Sequence, residues 1–308
     1  MKRKRILIYK IVAAIFLLSI VITFIVNTVI ANDVISEMSD VRVEINDATL
    51  DDFHLLGEQI NVLTKDDLNI NAYVVPNENS IGNIVLLHGM HGMDATSLFD
   101  YAKFVYDLGF TAISVDMRAH GKSEGKQLSF GYQEVNDVLA VIKFLKEDER
   151  FNNQSVILYG ISMGASTAIN TAAVSEEVNG IIAVSPFLSI QNQVSDYMLR
   201  DGFPKAFVNL FQPSVNLVLS QKFGVSPVKE SPKTNVTNLN DIPLLIIHSK
   251  DDAQTALYQA EILYDLASTN QKEIWIVDGD EHLIVEDVLN EESEFYRERI
   301  REFLYEIH

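Results

Sequence analysis

The chain has 308 residues, 47% of them apolar and 22% charged, with 7 prolines, so it can bury a large core and does not read as disordered, collagen-like or linker-rich. It has no cysteine, which excludes a disulfide scaffold, a Cys nucleophile and a thiolate metal site. Net charge is −19, from 24 basic and 43 acidic residues. The +5 carried by residues 1–31 leaves −24 for the rest, a body that repels phosphate backbones and argues against nucleic-acid binding.

The N-terminal charges are Lys2, Arg3, Lys4, Arg5 and Lys10, with no acid among them. Ile11 to Ile30 follows as an apolar stretch broken only by Ser19, Thr23, Asn27 and Thr28. At about 1.5 Å per residue such a helix is roughly 30 Å long, the thickness of a bilayer core. The basic cluster should stay cytoplasmic, which sends the chain beyond residue 31 to the outer side. Residues 1–31 are therefore expected to be a signal anchor in the cell membrane, single-pass, with the body extracytoplasmic. The alternative is secretion after cleavage near Ala31, where Val29-Ile30-Ala31 offers small residues to a peptidase.

Beyond Val41, short β-rich runs alternate with amphipathic stretches. Val41–Ile45 and Gln59–Thr64 read as strands, the second joined to Leu68–Val75 by a hairpin across Lys65-Asp66-Asp67. Asn83–His88 is a nearly continuous apolar run, the mark of a strand buried on both faces. Asp94–Leu108 reads as a helix, Phe110–Asp116 as a strand and Tyr132–Glu147 as a helix with apolar Val135, Val138, Leu139, Ile142 and Leu145. Strands follow at Ser155–Tyr159, Gly180–Val184, Ile242–His248 and Glu273–Val277, with helices at Ser162–Val174, Ala253–Ala267 and Glu286–Tyr305. This alternation implies βαβ units and a mostly parallel sheet covered on both faces. The stretch 187–241 breaks the rhythm: it holds Pro204, Pro213, Pro227 and Pro232 among Tyr197, Phe203, Phe207, Phe211 and Phe223. It reads as an inserted cap of short helices within a domain spanning 41–308.

Gly160-Ile161-Ser162-Met163-Gly164 lies between a strand and a helix. A serine on so sharp a turn needs little bulk two residues to either side, exposes its hydroxyl, and sets the next backbone N–H at a helix N-terminus. The bland reading of Ser162, an N-cap serine in a tight turn, accounts less well for Gly164. Here the chain resembles the α/β-hydrolase superfamily, in particular serine hydrolases similar to monoglyceride lipases and membrane-anchored bacterial hydrolases. The resemblance runs from about Asn83 to the C-terminal helix. It is carried also by His88-Gly89-Met90-His91-Gly92 after a strand and by Asp116-Met117-Arg118-Ala119-His120-Gly121-Lys122-Ser123, where Ala119 replaces a usual glycine. Ser162, Asp252 and His282 fall in this fold's order of nucleophile, acid and base.

The resemblance implies a parallel central sheet flanked by helices, a small helical cap, and a triad of Ser162, Asp252 and His282. The acid is assigned by the H-G-x-x-D turn of relatives, which reads here His248-Ser249-Lys250-Asp251-Asp252; Asp251 is the competitor, and Ser249 departs from glycine. It also implies an oxyanion hole built from the backbone N–H groups of Met90 and Met163. His88, His91, Arg118 and His120 are expected to shape loops. Asp278, Asp280 and Glu281 around His282 lack the spacing of a metal site, and no cofactor is implied. Asn235-Val236-Thr237 is a glycosylation sequon, with meaning only in a glycosylating cell. The expected function is cleavage of a carboxylic ester, lipid or small acyl or aryl, through an acyl-enzyme on Ser162. A serine peptidase or an acyltransferase on the same fold is the alternative, and a non-catalytic surface binding protein is the rival from another class.

Overall fold

The computed structural model describes residues 2–43 and 47–307. The chain begins with one unbroken helix, α1 (Lys2–Ser39), whose residues 6–26 present their large apolar side chains outward. Among the described residues it is the helix long and apolar enough to cross a membrane. From Asn27 onward α1 lies on the body instead: Ala31 and Ile35 are fully buried. The strand expected over Val41–Ile45 falls partly outside the described residues, and its described part makes one isolated parallel bridge, from Val43 to His120.

The body is built on a sheet of eight strands among the described residues. β1 (Glu58–Leu63) and β2 (Asn69–Val75) form the expected antiparallel hairpin. There follow β3 (Asn83–Leu87), α2 (Phe99–Asp107), β4 (Thr111–Val115), α3 (Glu134–Glu147), β5 (Val156–Ile161), α4 (Met163–Ala172) and β6 (Val178–Val184). Helices α5 (Ile190–Arg200), α6 (Lys205–Phe223) and α7 (Pro232–Asn235) come next, and β7 (Leu244–Ser249), α8 (Leu257–Leu266), β8 (Lys272–Val277) and α9 (Glu294–Glu306) close the chain. The strand order is β1-β2-β4-β3-β5-β6-β7-β8, with every pairing from β4 to β8 parallel. The apolar runs β3, β4 and β5 are buried along their whole length. Their alternate residues serve two cores: Val85 and Leu87 join the cluster under α3, α4 and α6, while Ile84 and Leu86 join the one under α2 and α9.

Three expectations are corrected. The insertion between β6 and β7 is not made only of short helices, because α6 runs for 19 residues through Pro213. Proline lacks one N–H and crowds the carbonyl four residues back, here that of Asn209; both Asn209 and Pro213 are exposed, so water can solvate the freed carbonyl. The last helix does not begin at Glu286: residues 286–290 are irregular, and the Asn290 side chain caps a short 3-10 turn at Glu291–Ser293 ahead of α9. Asp94–Leu108 likewise opens as a 3-10 turn, its first N–H groups bound by the Asp94 carboxylate, before α2 begins.

Candidate active site

The strand order reverses direction at β3, whose neighbours are β4 on one side and β5 on the other. In sheets of this kind the crevice beyond the carboxyl ends of the strands collects the functional loops. His88 follows β3, Ser162 follows β5, Asp252 follows β7 and His282 follows β8.

Ser162 sits at φ 55°, ψ −113°, a conformation a residue with a Cβ rarely adopts, and its neighbours show what holds it there. A Cβ on Gly160 would stand 2.2 Å from the Gly164 carbonyl oxygen, and one on Gly164 would stand 2.1 Å from that of Leu87. Both positions must therefore be glycine for β5, the turn and α4 to pack so closely onto the end of β3. The turn leaves the Met163 N–H at the head of α4, where helix N–H groups have no partner within the helix and favour negative charge.

The structure brings Ser162, His282 and Asp252 into one hydrogen-bonded chain. Ser162 Oγ lies 2.9 Å from His282 Nε2, and His282 Nδ1 lies 2.7 Å from Asp252 Oδ2. With the imidazole neutral and its proton on Nδ1, the ring donates to the carboxylate and accepts from the serine hydroxyl. Asp252 Oδ1 receives the N–H groups of Gln254 and Thr255 at 2.7 and 2.9 Å. Burial alone would raise the Asp252 carboxyl, but the bonds from His282, Thr255 and Gln254 outweigh it and hold the pKa below the usual carboxylate range. Asp251, the competing residue, is exposed and donates its backbone N–H to the Gly279 carbonyl.

The His88–Gly92 loop abuts the serine: a Cβ on Gly89 would stand 3.7 Å from that of Ser162. His88 is fully buried; its Nδ1 donates to the Gly89 carbonyl at 2.7 Å and its Nε2 accepts the Met117 N–H at 3.0 Å. Because C=O and N–H of a trans peptide point opposite ways, that first bond fixes the aim of the Met90 N–H. The buried His120 ring packs against His88 with centroids 4.5 Å apart and planes tilted by 50°, and its Nε2 lies 2.6 Å from the Met90 carbonyl. Arg118 is ion-paired with buried Asp137 and with Asp66, and His91 Nε2 lies 3.1 Å from the Met38 carbonyl of α1. Ala119 has φ 63°, so the alanine in place of the usual glycine occupies the left-handed region.

Two serines that the sequence left without a role hold the His282 loop. Ser249 donates its hydroxyl to the Glu281 carbonyl at 2.5 Å, and Ser185 donates to the His282 carbonyl at 2.6 Å. Ser249 thus does at its departure from glycine what a glycine cannot. Its signal was the departure itself; Ser185, at the end of β6, had none. Among the described residues no cluster of His, Asp or Glu is arranged to hold a metal ion.

Residues 78–234 match the family described as serine aminopeptidase, S33 (Hydrolase_4). The uncharacterized protein YqkD of Bacillus subtilis is 29% identical over 239 residues, covering 77% of this chain and 75% of that one. The lysophosphatidylserine lipase ABHD12 of Danio rerio is 23% identical over 193 residues, 61% of this chain and 48% of that one. Among solved structures, the Pyrococcus furiosus esterase Pf2001 superposes with a TM-score of 0.69 at 20% identity, covering 87% of this chain and 98% of that chain.

Proposed function

The chain belongs to the serine aminopeptidase, S33 family of the α/β-hydrolase superfamily, and from that premise we propose that it is a membrane-anchored serine hydrolase cleaving a carboxylic ester, lipid or small acyl or aryl. The observation that carries this reading is the unbroken hydrogen-bonded path from Ser162 Oγ through His282 to Asp252, starting on a backbone turn strained at Ser162.

His282 Nε2 takes the Ser162 proton as Oγ attacks the ester carbonyl, and Asp252 holds the ring's tautomer and stabilises the imidazolium that forms. The oxyanion of the tetrahedral intermediate is met by the N–H groups of Met90 and Met163. His282 then gives its proton to the departing alkoxide, leaving an acyl-enzyme. Water deprotonated by the same imidazole cleaves that ester and restores Ser162. No step calls for a metal or an organic cofactor.

Residues 1–31 act as a signal anchor, 41–308 as the hydrolase domain and 187–241 as its cap. Retention of the anchor is supported by α1 itself, which runs through Ala31 without a break and buries both Ala31 and Ile35. Cleavage at Ala31 would cut that helix within its packed part. The ester preference is supported by the aromatic residues of the cap and by the similarity to the Danio rerio lysophosphatidylserine lipase and the Pyrococcus furiosus esterase. The family description points to the alternative, a peptidase.

The test is fluorophosphonate labelling of the full-length chain in membranes, beside Ser162→Ala and His282→Ala. Labelling of the wild type and loss in both variants supports the activated serine; a folded wild type that stays unlabelled overturns it and leaves a binding module. A panel of p-nitrophenyl esters and aminoacyl anilides then separates the bond classes, since turnover of anilides alone would replace the esterase with a peptidase. A mature chain beginning at Asn32 would overturn the anchor.

A further inference from the structure

Helix α6 carries a row of apolar side chains that the body does not cover. Leu210 is 65% exposed and Phe203, just before the helix, is 46% exposed; Pro204 and Ala206 between them are exposed as well. Phe203 stacks on half-buried Phe207, and Phe207 on buried Phe211, with ring centroids 5.7 and 6.3 Å apart, so the exposed tip is tied to the core by a stiff aromatic ladder.

The placement of this row relative to α1 gives it meaning. Asn27 Nδ2 donates to the Leu210 carbonyl at 3.5 Å, Thr28 Oγ1 to Ser214 Oγ at 3.2 Å, and Lys222 Nζ to Ser36 Oγ at 3.1 Å, with Asp40 closing an ion pair on the same lysine. Partner numbers rise together along both chains, so α1 and α6 lie parallel. Ala31 and Ile35 of α1 share a buried cluster with Val215, Val218 and Leu219 of α6. At about 1.5 Å per residue, Phe203 therefore reaches on the order of 10 Å beyond Leu210 toward the N-terminal, apolar part of α1. The apolar stretch Ile11–Ile30 matches a hydrocarbon core of about 30 Å, which sets Asn27 and Leu210 just inside its outer boundary.

Charge points the same way. In a body carrying −24, the stretch between Asp201 and Glu230 contains no acid, and Lys205 stands at the tip itself. A surface helix free of acid has no carboxylate that would have to be dehydrated on entering a lipid layer. The turn that precedes α6 also touches the candidate active site, because the Arg200 guanidinium at the end of α5 donates to the Ala253 carbonyl next to Asp252.

We infer that the Phe203–Leu210 tip of α6 is a second membrane contact, seated in the outer leaflet beside α1, and that it holds the site's cap against the lipid surface. This rests on the reading of α1 as a membrane-spanning anchor. The partner is a lipid bilayer rather than a second protein, because the exposed row continues the line of a helix whose own apolar face has bilayer length.

The absence of native cysteine makes the test clean. Full-length Leu210→Cys, Phe203→Cys and Val228→Cys are labelled with an NBD fluorophore and reconstituted into phosphatidylcholine vesicles, with and without lipid bearing a doxyl quencher near its glycerol end. Val228 is 62% exposed and lies past the other end of α6, whose last residue, Phe223, is about 20 Å from Leu210 by helix rise. The expected result is blue-shifted emission at positions 210 and 203, quenched by about half, with position 228 unquenched. Position 210 is the safer probe, since its side chain is already largely in solvent. Carbonate extraction of the same vesicles separates the two ideas. A chain that washes off overturns the anchor; a chain that stays while positions 203 and 210 behave like position 228 overturns the second contact alone.

Discussion

The two halves of the candidate site are held in place by different means. The Ser162 turn is fixed by contact between backbones: glycine at 160 and 164 lets β3, β5 and α4 meet at distances that admit no side chain. The His282 loop has no such wedge. It runs from Asp278 to Asn290 with mostly exposed or half-buried residues. It is tied down by hydrogen bonds donated by Ser249 and Ser185, and by those that Asp252 and Asp100 accept from His282 and Val288. A nucleophile set by sterics is local and rigid. A base set by hydrogen bonds depends on residues spread over the whole chain, and each bond can be lost separately.

The largest test of that contrast is on the hydrogen-bonded side. Asp252→Asn should lower kcat on the order of 10³–10⁴-fold, by removing the charge that selects the ring's tautomer, while Asp251→Asn should leave it within about twofold. Esterase kinetics on both variants check this; the reverse pattern would move the acid to Asp251. On the steric side, Gly164→Ala should cost about 2–3 kcal/mol and lower Tm by roughly 5–10 °C, because its Cβ meets the Leu87 carbonyl oxygen, which is backbone and cannot rotate aside. Calorimetry with fluorophosphonate labelling would show both the loss of stability and a slower label.

Smaller effects sharpen the comparison. Ser249→Gly restores the residue usual in the resembling hydrolases and removes one bond to the base loop, so kcat should fall about fivefold with KM little changed, as expected for a net bond of about 1 kcal/mol. An unchanged kcat would mean that Ser185 and Asp252 hold the loop without help. Asp100 accepts the Val288 N–H at 3.2 Å, and burial pushes its pKa up to about 6 from 3.8. A carboxyl whose folded pKa is raised costs stability when it ionises, so the penalty is absent near pH 3 and grows as pH rises toward 6. Asp100→Asn should therefore stabilise the protein by about 1–2 kcal/mol at pH 8, with no gain at pH 3, which denaturation at the two pH values would measure.

Much of this was legible beforehand, and the reasons are local. β3, β5 and β7 show as largely apolar runs because parallel strands covered on both faces are buried along their length, whereas β8, at the sheet edge, is only half-buried. Gly160 and Gly164 announce the serine turn because only a missing Cβ permits it. The 19-residue length of α6 was hidden behind Pro213, since a proline reads as a breaker until the exposure of Asn209 is known. The late start of α9 was hidden because the apolar spacing continues through Glu286–Asn290, although the Asn290 side chain competes there with helical hydrogen bonding. His88, expected to shape its loop, turns out to bond the carbonyl of the peptide whose N–H is the candidate oxyanion donor.

By itself the sequence determined the order of strands and helices, the apolar N-terminal helix, the serine turn and the short list of partners for that serine. The first three follow from residue type and spacing within one segment, and the list of partners from the resemblance to the α/β-hydrolases. Only the tertiary structure decided which aspartate meets His282, which serines clamp its loop, and where the apolar row of α6 lies against α1. Those are contacts between segments from about 30 to 190 residues apart, and nothing in either segment alone records the distance between them.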